Sequence, residues 1–211
     1  MNITNDIITA YLDTLYVNKN QKLKELREFA EKERVPIILK DTEELLLQLI
    51  RIKKPAKVLE IGTAVGYSAC CFADAYDCQV VTIEADDEMA DIAESNIRNL
   101  GFENKVEVLR GDAREVMADL KGNTFDVVFI DAAKSHYLSF WNLALPLCRP
   151  DAVIICDNVL MKGMTASDEY DTKGKYNTSI RKMREFLIYI NEQAETSVLP
   201  VGDGISISLV E

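Results

Sequence analysis

From Lys57 onward, short apolar runs rich in β-branched residues alternate with longer segments in which apolar residues recur at helical spacing. The runs are KVLEIG, QVVTIEA, VEVLRGD, FDVVFIDA and AVIICDN, and the helical segments between them end near Ala75, Leu100, Leu120 and Cys148. Strands joined through helices are parallel, because each crossover carries the chain back across the sheet, and the helices cover both sheet faces. The pattern therefore predicts an α/β fold built on a buried parallel sheet.

The last two apolar runs, TSVLPVG and GISISLV, are joined only through Gly202, Asp203 and Gly204. A link this short cannot hold a crossover helix, so these two strands are expected to be antiparallel. Together with the five earlier runs, they predict a seven-stranded, mostly parallel Rossmann-like sheet with an antiparallel last strand. Such an ending differs from the all-parallel sheet that binds dinucleotides.

The first 50 residues are expected to form an added helical extension. Apolar residues recur at helical spacing over residues 7–15 and again over residues 23–29. Asp41, followed three residues later by Glu44, resembles a capping box that opens a third helix. The extension could pack on the chain's own sheet, cover the substrate or pair two subunits.

Length and composition favour one domain over residues 1–211, with its Rossmann-like core at 57–211. A chain of 211 residues with 48% hydrophobic content can bury one core. It has no apolar run of the ~18 residues that a membrane span requires, and its N-terminus lacks the features of a signal peptide. The five cysteines form no CxxC pair, which indicates reduced thiols and a cytoplasmic location.

The formal net charge of −11 argues against a protein that coats nucleic acid nonspecifically. Local basic clusters at residues 51–57 and 181–184 leave contact with a limited stretch of RNA open.

Three strand ends carry residues suited to an adenosyl cofactor. The first strand runs into a G-x-x-x-G turn at Gly62 and Gly66, where glycine lets the backbone turn sharply and approach a ligand. The second strand ends in Glu84, which could accept hydrogen bonds from both ribose hydroxyls. The third ends in Asp112 and Ala113, where an adenine ring would lie. The glycine spacing is not the G-x-G-x-x-G of a pyrophosphate site, so S-adenosylmethionine is favoured over NAD.

The next two strand ends predict a metal site. Asp131 follows the fourth strand, and Asp157 and Asn158 follow the fifth, so their oxygens should meet at one edge of the sheet. This all-oxygen set suits Mg²⁺, with Mn²⁺ as the other candidate. Lys134 lies three residues beyond Asp131 and is a candidate general base, because a nearby cation disfavours the protonated amine.

These motifs also resemble a known family. EIGTAVGYS, TIEADD, RGDA, FIDAAKSHY and CDNVL are similar to the motifs of the cation-dependent O-methyltransferases related to catechol and caffeoyl-CoA methyltransferases, and the resemblance covers residues 35–211. It implies a class I methyltransferase fold and a homodimer. By motif, it implies cofactor contacts from Ile38, Glu60, Gly62, Ser68, Glu84, Asp112, Ala113 and Asp131.

The same resemblance implies that Asp131, Asp157 and Asn158 hold the metal and that Lys134 is the base. The ending NTSIRKMREFLIYI…SVLPVGDGISIS is similar to the bacterial branch that contains the tRNA 5-hydroxyuridine methyltransferase. The acceptor implied is 5-hydroxyuridine at the wobble position of the tRNA anticodon loop, which would become 5-methoxyuridine.

Three alternatives stay open at this point. A small catechol-like acceptor would use the same motifs, whereas residues 161–179, the expected acceptor-side segment, are polar with few aromatics and favour a polar acceptor. An NAD-dependent oxidoreductase is disfavoured by the glycine spacing. A catalytically silent cofactor-binding protein would be expected to have lost the lysine or a metal ligand, and all four residues are present.

Overall fold

The computed structural model describes residues 5–122, 124–171 and 174–211. Its strands are β1 (Lys57–Ile61), β2 (Gln79–Glu84), β3 (Val106–Arg110), β4 (Phe125–Ile130), β5 (Cys148–Cys156), β6 (Glu195–Leu199) and β7 (Ile205–Leu209). Its α-helices are α1 (Asp6–Leu15), α2 (Gln21–Glu33), α3 (Lys40–Lys53), α4 (Tyr67–Ala75), α5 (Asp87–Leu100), α6 (Ala113–Asp119), α7 (Tyr137–Ala144) and α8 (Asn177–Gln193). Short 3₁₀ turns lie at Lys134–His136, Leu145–Leu147, Met161–Gly163 and Asp168–Tyr170.

The described strands form one seven-stranded sheet in the order β3-β2-β1-β4-β5-β7-β6. The first five strands pair in parallel, and β7 lies antiparallel between β5 and β6. The α/β fold and its antiparallel ending are thus confirmed. The physical reason is the short link between β6 and β7, which can only reverse the chain direction.

The central strands end at the same level. Ile61 at the end of β1 lies opposite Ile83 of β2 and Ile130 of β4, and Ile130 lies opposite Cys156 of β5. The residues that follow these strands therefore emerge together at one edge of the sheet. This shared edge is where ligands bind in open parallel sheets.

Each face of the sheet packs into its own apolar cluster. In β1, Leu59 belongs to one cluster and its neighbour Val58 to the other, because successive strand side chains point to opposite faces. On the first face Trp141 packs edge-on against Phe186, and on the second Phe72 packs edge-on against Phe129. Burial on both faces explains why the strands appear as near-continuous apolar runs.

The N-terminal helices add to the second face. Leu23 of α2 and Leu46 and Ile50 of α3 are buried in the second cluster, whereas α1 has no buried residue. The predicted capping box is wrong: α3 begins at Lys40, and its cap residue Leu39 makes no side-chain hydrogen bond.

The Asp41 carboxylate is engaged elsewhere. It accepts a hydrogen bond from the backbone N–H of Gly202, at 2.9 Å, in the turn before β7. A tertiary contact has therefore taken the place of the local cap. All five cysteines are free thiols, and no helix among the described residues is long and apolar enough to cross a membrane.

Gly62 is expected to tolerate no side chain. Its φ is +101°, and a Cβ built there would lie 2.1 Å from the Asp131 carbonyl oxygen. Gly62→Ala should lower the free energy of unfolding by about 2–5 kcal/mol, since it combines backbone strain with overpacking. Urea denaturation measures this loss.

Gly101→Ala is the matched control, because Gly101 has a φ of +82° and nothing within 4 Å of the added methyl group. This variant should lower the free energy of unfolding by about 1–2 kcal/mol, because it adds only backbone strain. Equal losses in the two variants would contradict the close approach of Gly62 to Asp131.

Candidate active site

A cavity of about 460 Å³ opens at the carboxyl edge of the sheet, within the size range of small-molecule sites. The loops after β1, β2, β3 and β4 surround it, together with the segment that precedes α3. Most of the predicted site residues line it: Ile38, Gly62, Ser68, Glu84, Asp112, Ala113, Asp131 and Lys134. Their individual contacts with a cofactor stay predictions.

Glu84 holds the glycine turn in place. Its carboxylate accepts hydrogen bonds from the backbone N–H groups of Thr63 (3.2 Å) and Ala64 (2.8 Å), and from Asp86 N–H at 3.0 Å. Ala64 has a positive φ of 46°, a conformation that these hydrogen bonds help to stabilise. The predicted ribose acceptor is thus also the group that shapes the cofactor turn.

Glu60 lies beneath the cavity and is absent from its lining. The Ser68 and Thr82 hydroxyls each donate to its carboxylate, at 2.5 Å. Burial raises the pKa of Glu60 to about 8, although these two hydrogen bonds oppose the shift. In this arrangement Glu60 orients Ser68, which does line the cavity.

Asp112 caps α6, and its carboxylate is already paired. It accepts hydrogen bonds from the backbone N–H and the Nε of Arg114, each at 2.9 Å. The Arg114 guanidinium holds the pKa of Asp112 well below its usual range. This side of the cavity therefore carries a paired carboxylate at the N-terminus of α6.

The predicted metal ligands lie where this cavity meets the next one. Lys134 donates from Nζ to the Asn158 Oδ1 at 2.7 Å and to the Asp131 Oδ1 at 3.3 Å. The ammonium group thus occupies a point on which oxygens from the ends of β4 and β5 converge. The side-chain oxygens that bind this ammonium group are of the type that also binds a hard metal cation.

Asp157 is the most buried of the three, with 1% of its surface exposed. Burial and the neighbouring Asp131 raise the pKa of its carboxyl to about 7. Its Oδ1 accepts a hydrogen bond from the Asn158 N–H at 2.7 Å, and Asn158 adopts a φ of +56°. A divalent cation would offset the cost of this buried charge.

Among the described residues, no three His, Cys, Asp or Glu side chains form a group that could hold a metal ion. A cation at this place would depend on the Asn158 amide oxygen in addition to two carboxylates. The sequence analysis predicted this combination of two carboxylates and one amide oxygen.

Two further cavities, of about 390 and 660 Å³, adjoin the metal-ligand residues. Both are lined by Lys134, Asn158, Lys162 and Asp203, and the smaller one shares Asp131 and Lys134 with the first cavity. A molecule bound here would therefore lie next to the predicted metal ligands and to the first cavity.

The larger of these cavities has a mixed lining of polar, apolar and aromatic side chains. Its wall contains Met161, Met164, Tyr170 and Tyr176, all from the segment that was expected to be polar. Lys162 and Ser179 of that segment line the same cavity, whereas Asp168 bonds elsewhere and accepts from Arg184 Nη2 at 2.8 Å. Met161 and Tyr170 reach this wall from short 3₁₀ turns, and residues 172 and 173 lie outside the described part.

Sequence reasoning gave no role to Lys162 and Asp203. Lys162 donates from its backbone N–H to the Asp203 carboxylate, which joins the loop after β5 to the turn before β7. Burial raises the pKa of Asp203. The one available signal was the placement of Asp203 between two glycines, which indicates a turn but not its location.

Glu60 should make the cofactor-free chain less stable as the pH rises. Its pKa increases from 4.5 to about 8 on folding, so between these values the folded chain keeps a proton that the unfolded chain has lost. The free energy of unfolding should therefore fall from about pH 5 to about pH 8.

Glu60→Gln removes this titration while keeping a hydrogen-bonding side chain. Urea denaturation of both proteins across this range should show the variant losing less stability than the wild type. If the free energy of unfolding of the two proteins changed in parallel with pH, the raised pKa of Glu60 would be contradicted. Asp157 titrates in both proteins, so its contribution drops out of the difference between them.

Comparison with known proteins agrees with this arrangement. A family model described as O-methyltransferase matches residues 14–210. The chain is 30% identical to caffeoyl-CoA O-methyltransferase 2 of Zea mays, over 97% of this chain and 82% of that one. It is 32% identical to the catechol O-methyltransferase of Mycobacterium tuberculosis, over 78% of this chain and 77% of that one.

The fold recurs in solved structures. A Staphylococcus aureus protein provisionally named caffeoyl-CoA O-methyltransferase superposes with a TM-score of 0.92 at 33% identity, covering 98% of this chain and 100% of that one. The Bacillus cereus O-methyltransferase in complex with S-adenosylhomocysteine has a TM-score of 0.82 at 28% identity, covering 97% of each chain. The chain therefore belongs to the O-methyltransferase family of these caffeoyl-CoA and catechol enzymes and is an S-adenosylmethionine-dependent O-methyltransferase.

Proposed function

We propose that this methyltransferase requires a divalent cation, Mg²⁺ or Mn²⁺, and acts on a hydroxyl group that has a second oxygen beside it. The observation that carries the proposal is the convergence of Asp131, Asn158 and Lys134 between the cofactor and acceptor cavities, beside the buried Asp157. A cation held by Asp131, Asp157 and Asn158 would lower the pKa of a coordinated hydroxyl. Two neighbouring acceptor oxygens suit the positions that three protein ligands leave free.

Lys134 is the proposed general base. Its Nζ bonds to the Asp131 and Asn158 oxygens, and the residue lines all three cavities, so an acceptor hydroxyl bound beside the metal would lie near it. Loss of that proton makes the acceptor oxygen the nucleophile for the methyl group. A general base must first lie within hydrogen-bonding distance of the group whose proton it removes.

The cofactor side is proposed to hold S-adenosylmethionine with its reactive end toward Asp131. Gly62 and Ser68 border the same part of the cavity, and Asp131 lines both this cavity and the acceptor cavity next to it. Positioning the methyl donor and the acceptor in adjoining cavities removes much of the entropic barrier to reaction, worth up to about 7–11 kcal/mol in model systems.

Removal of the base should lower turnover without loss of cofactor binding. Lys134→Met is expected to reduce kcat by about 10²–10⁴-fold, the usual contribution of a general base. Labelled S-adenosylmethionine provides the assay, and excess EDTA should abolish the residual and wild-type activities alike.

Lys162→Met is the matched control, because Lys162 lines both acceptor cavities but is not among the hydrogen-bond donors to Asp131 and Asn158. Its kcat should stay within about threefold of the wild type for a small acceptor. Turnover that EDTA leaves unchanged would refute the metal requirement, and equal effects of the two lysines would refute the role of Lys134.

The proposed acceptor is 5-hydroxyuridine at the tRNA wobble position. The resemblance of the C-terminal segment supports this choice, as do two tyrosines of the acceptor cavity, Tyr170 and Tyr176, which are 50% and 42% exposed. Exposed aromatic faces stack on unpaired bases, and nearby lysines can contact phosphates. Lys175 lies over the Tyr176 ring, with Nζ 5.4 Å from its centre, and Lys162 lines the same cavity.

A small catechol-like molecule is the second candidate acceptor. The methionine and tyrosine lining of the larger cavity suits a phenyl ring, and the relatives are named for caffeoyl-CoA and catechol. This candidate requires no contact outside the cavity, so it is compatible with the acidic net charge of the chain.

A homodimer is also proposed. Helix α1 presents Ile7, Tyr11 and Leu15 to solvent in the isolated chain. Apolar side chains grouped in this way on an exposed helix are typical of a surface that pairs with another chain.

The acceptor is tested by supplying tRNA bearing 5-hydroxyuridine and, separately, a panel of catechols, with labelled S-adenosylmethionine. Labelling of the tRNA far above the catechols is the expected result. Tyr176→Ala should then raise the KM for tRNA by about tenfold, since one base–aromatic stack contributes about 1–3 kcal/mol.

Tyr189→Ala is the control, because Tyr189 lies on α8 and bonds to Asn142, away from the cavity. Labelling of catechols alone would show instead that the acceptor is a small molecule. The cofactor and metal proposals would survive that outcome.

A further inference from the structure

A buried charged cluster lies between the N-terminal helices and the core, and the proposed reaction does not use it. Arg27 of α2 and Glu43 of α3 are only 4% and 2% exposed. Their side chains form an ion pair, with Arg27 Nη2 2.6 Å from the Glu43 Oε2. The Tyr67 hydroxyl donates to the same carboxylate at 2.8 Å.

Arg27 also bonds to two walls of the cofactor cavity. Its Nη2 donates to the backbone carbonyl of Ile38 at 2.8 Å, and its Nε donates to the Tyr67 hydroxyl at 3.0 Å. Ile38 and Tyr67 both line the cavity. One guanidinium group therefore joins the segment before α3 to the start of α4, both of which line the cavity.

The wall that contains Ile38 has no regular secondary structure to hold it. Residues 35–39 lie between α2 and α3 and form neither helix nor strand. Pro36, Ile37 and Ile38 of this segment line the cavity. Its position therefore depends on tertiary contacts, of which the hydrogen bond from Arg27 is one.

Stability alone is a weak reason for such a cluster. Burying an ion pair often stabilises a fold no better than apolar residues of the same volume would. The fixed, planar arrangement of the guanidinium donors, however, specifies the direction of several partners at once. Here those partners are Glu43, Tyr67 and Ile38.

We propose that Arg27 is a positioning residue for S-adenosylmethionine: by holding Ile38 and Tyr67, it makes the N-terminal helices part of the cofactor site. The inference rests on the assignment of this cavity to the cofactor. It does not depend on the metal or on the identity of the acceptor.

The test is calorimetric titration with S-adenosylhomocysteine in the absence of metal and acceptor. Arg27→Met should raise the Kd by about tenfold, as expected when a charged donor to a cavity wall is lost. At saturating S-adenosylmethionine, kcat should stay within about twofold of the wild type, because the base and the metal ligands are untouched. Lys24→Met, an exposed lysine on the same helix, is the control and should leave the Kd unchanged.

Two further variants guard against simple unfolding, since Arg27→Met leaves the Glu43 carboxylate buried without its partner. Arg27→Met/Glu43→Gln removes both charges, and Tyr67→Phe keeps the ion pair and the ring while removing one hydroxyl. The double variant should bind about tenfold more weakly and Tyr67→Phe about threefold more weakly, each with full stoichiometry. Arg27→Lys should fall between the wild type and Arg27→Met.

Partial unfolding would instead reduce the number of binding sites and leave the Kd of the remainder unchanged. Wild-type Kd values in the folded double variant and in Tyr67→Phe would overturn the proposal, as would failure of every Arg27 variant to fold. The titration contains neither metal nor acceptor. Failure of metal-dependent turnover would therefore leave this result untouched.

Discussion

The site depends first on the register of the four strands β1, β2, β4 and β5. Parallel pairing places Ile61 level with Ile83 and Ile130, and Ile130 level with Cys156. The residues that follow these positions then appear side by side, although they are far apart in the chain. A shift of one residue in any strand would move its functional side chain to the opposite face of the sheet.

Close backbone contacts at this edge make the arrangement rigid. Gly62 lies so near the Asp131 carbonyl that a side chain cannot fit between them. Glu84 and Glu60, buried or braced by hydrogen bonds, stabilise the turn and the helix start that follow β1. The acids of this edge differ in their surroundings: Glu60 and Glu84 shape the cavity through their hydrogen bonds, whereas Asp131 and Asp157 place two carboxyl groups close together.

Sequence reasoning succeeded where a residue's place follows from its own strand. The seven runs and the strand ends were predictable because burial on both faces produces long apolar runs, and the residue after such a run must lie at the sheet edge. It failed where distant segments compete for a side chain. Asp41 carries a capping signal but accepts a hydrogen bond from the distant Gly202, and Met161, Met164, Tyr170 and Tyr176 line one cavity although the sequence of that segment is largely polar.

The sequence by itself thus determined the order and direction of the strands, the cofactor turn and the oxygen-rich ends of β4 and β5, since these follow from periodicity and connection length. Only the tertiary structure decided that Glu60 is buried outside the lining of the first cavity, that two tyrosines line the cavity beside Lys134 and Asn158, and that Arg27 bonds to two residues of the first cavity. The physical reason is that long-range contacts between irregular segments depend on packing in three dimensions, which no local periodicity records.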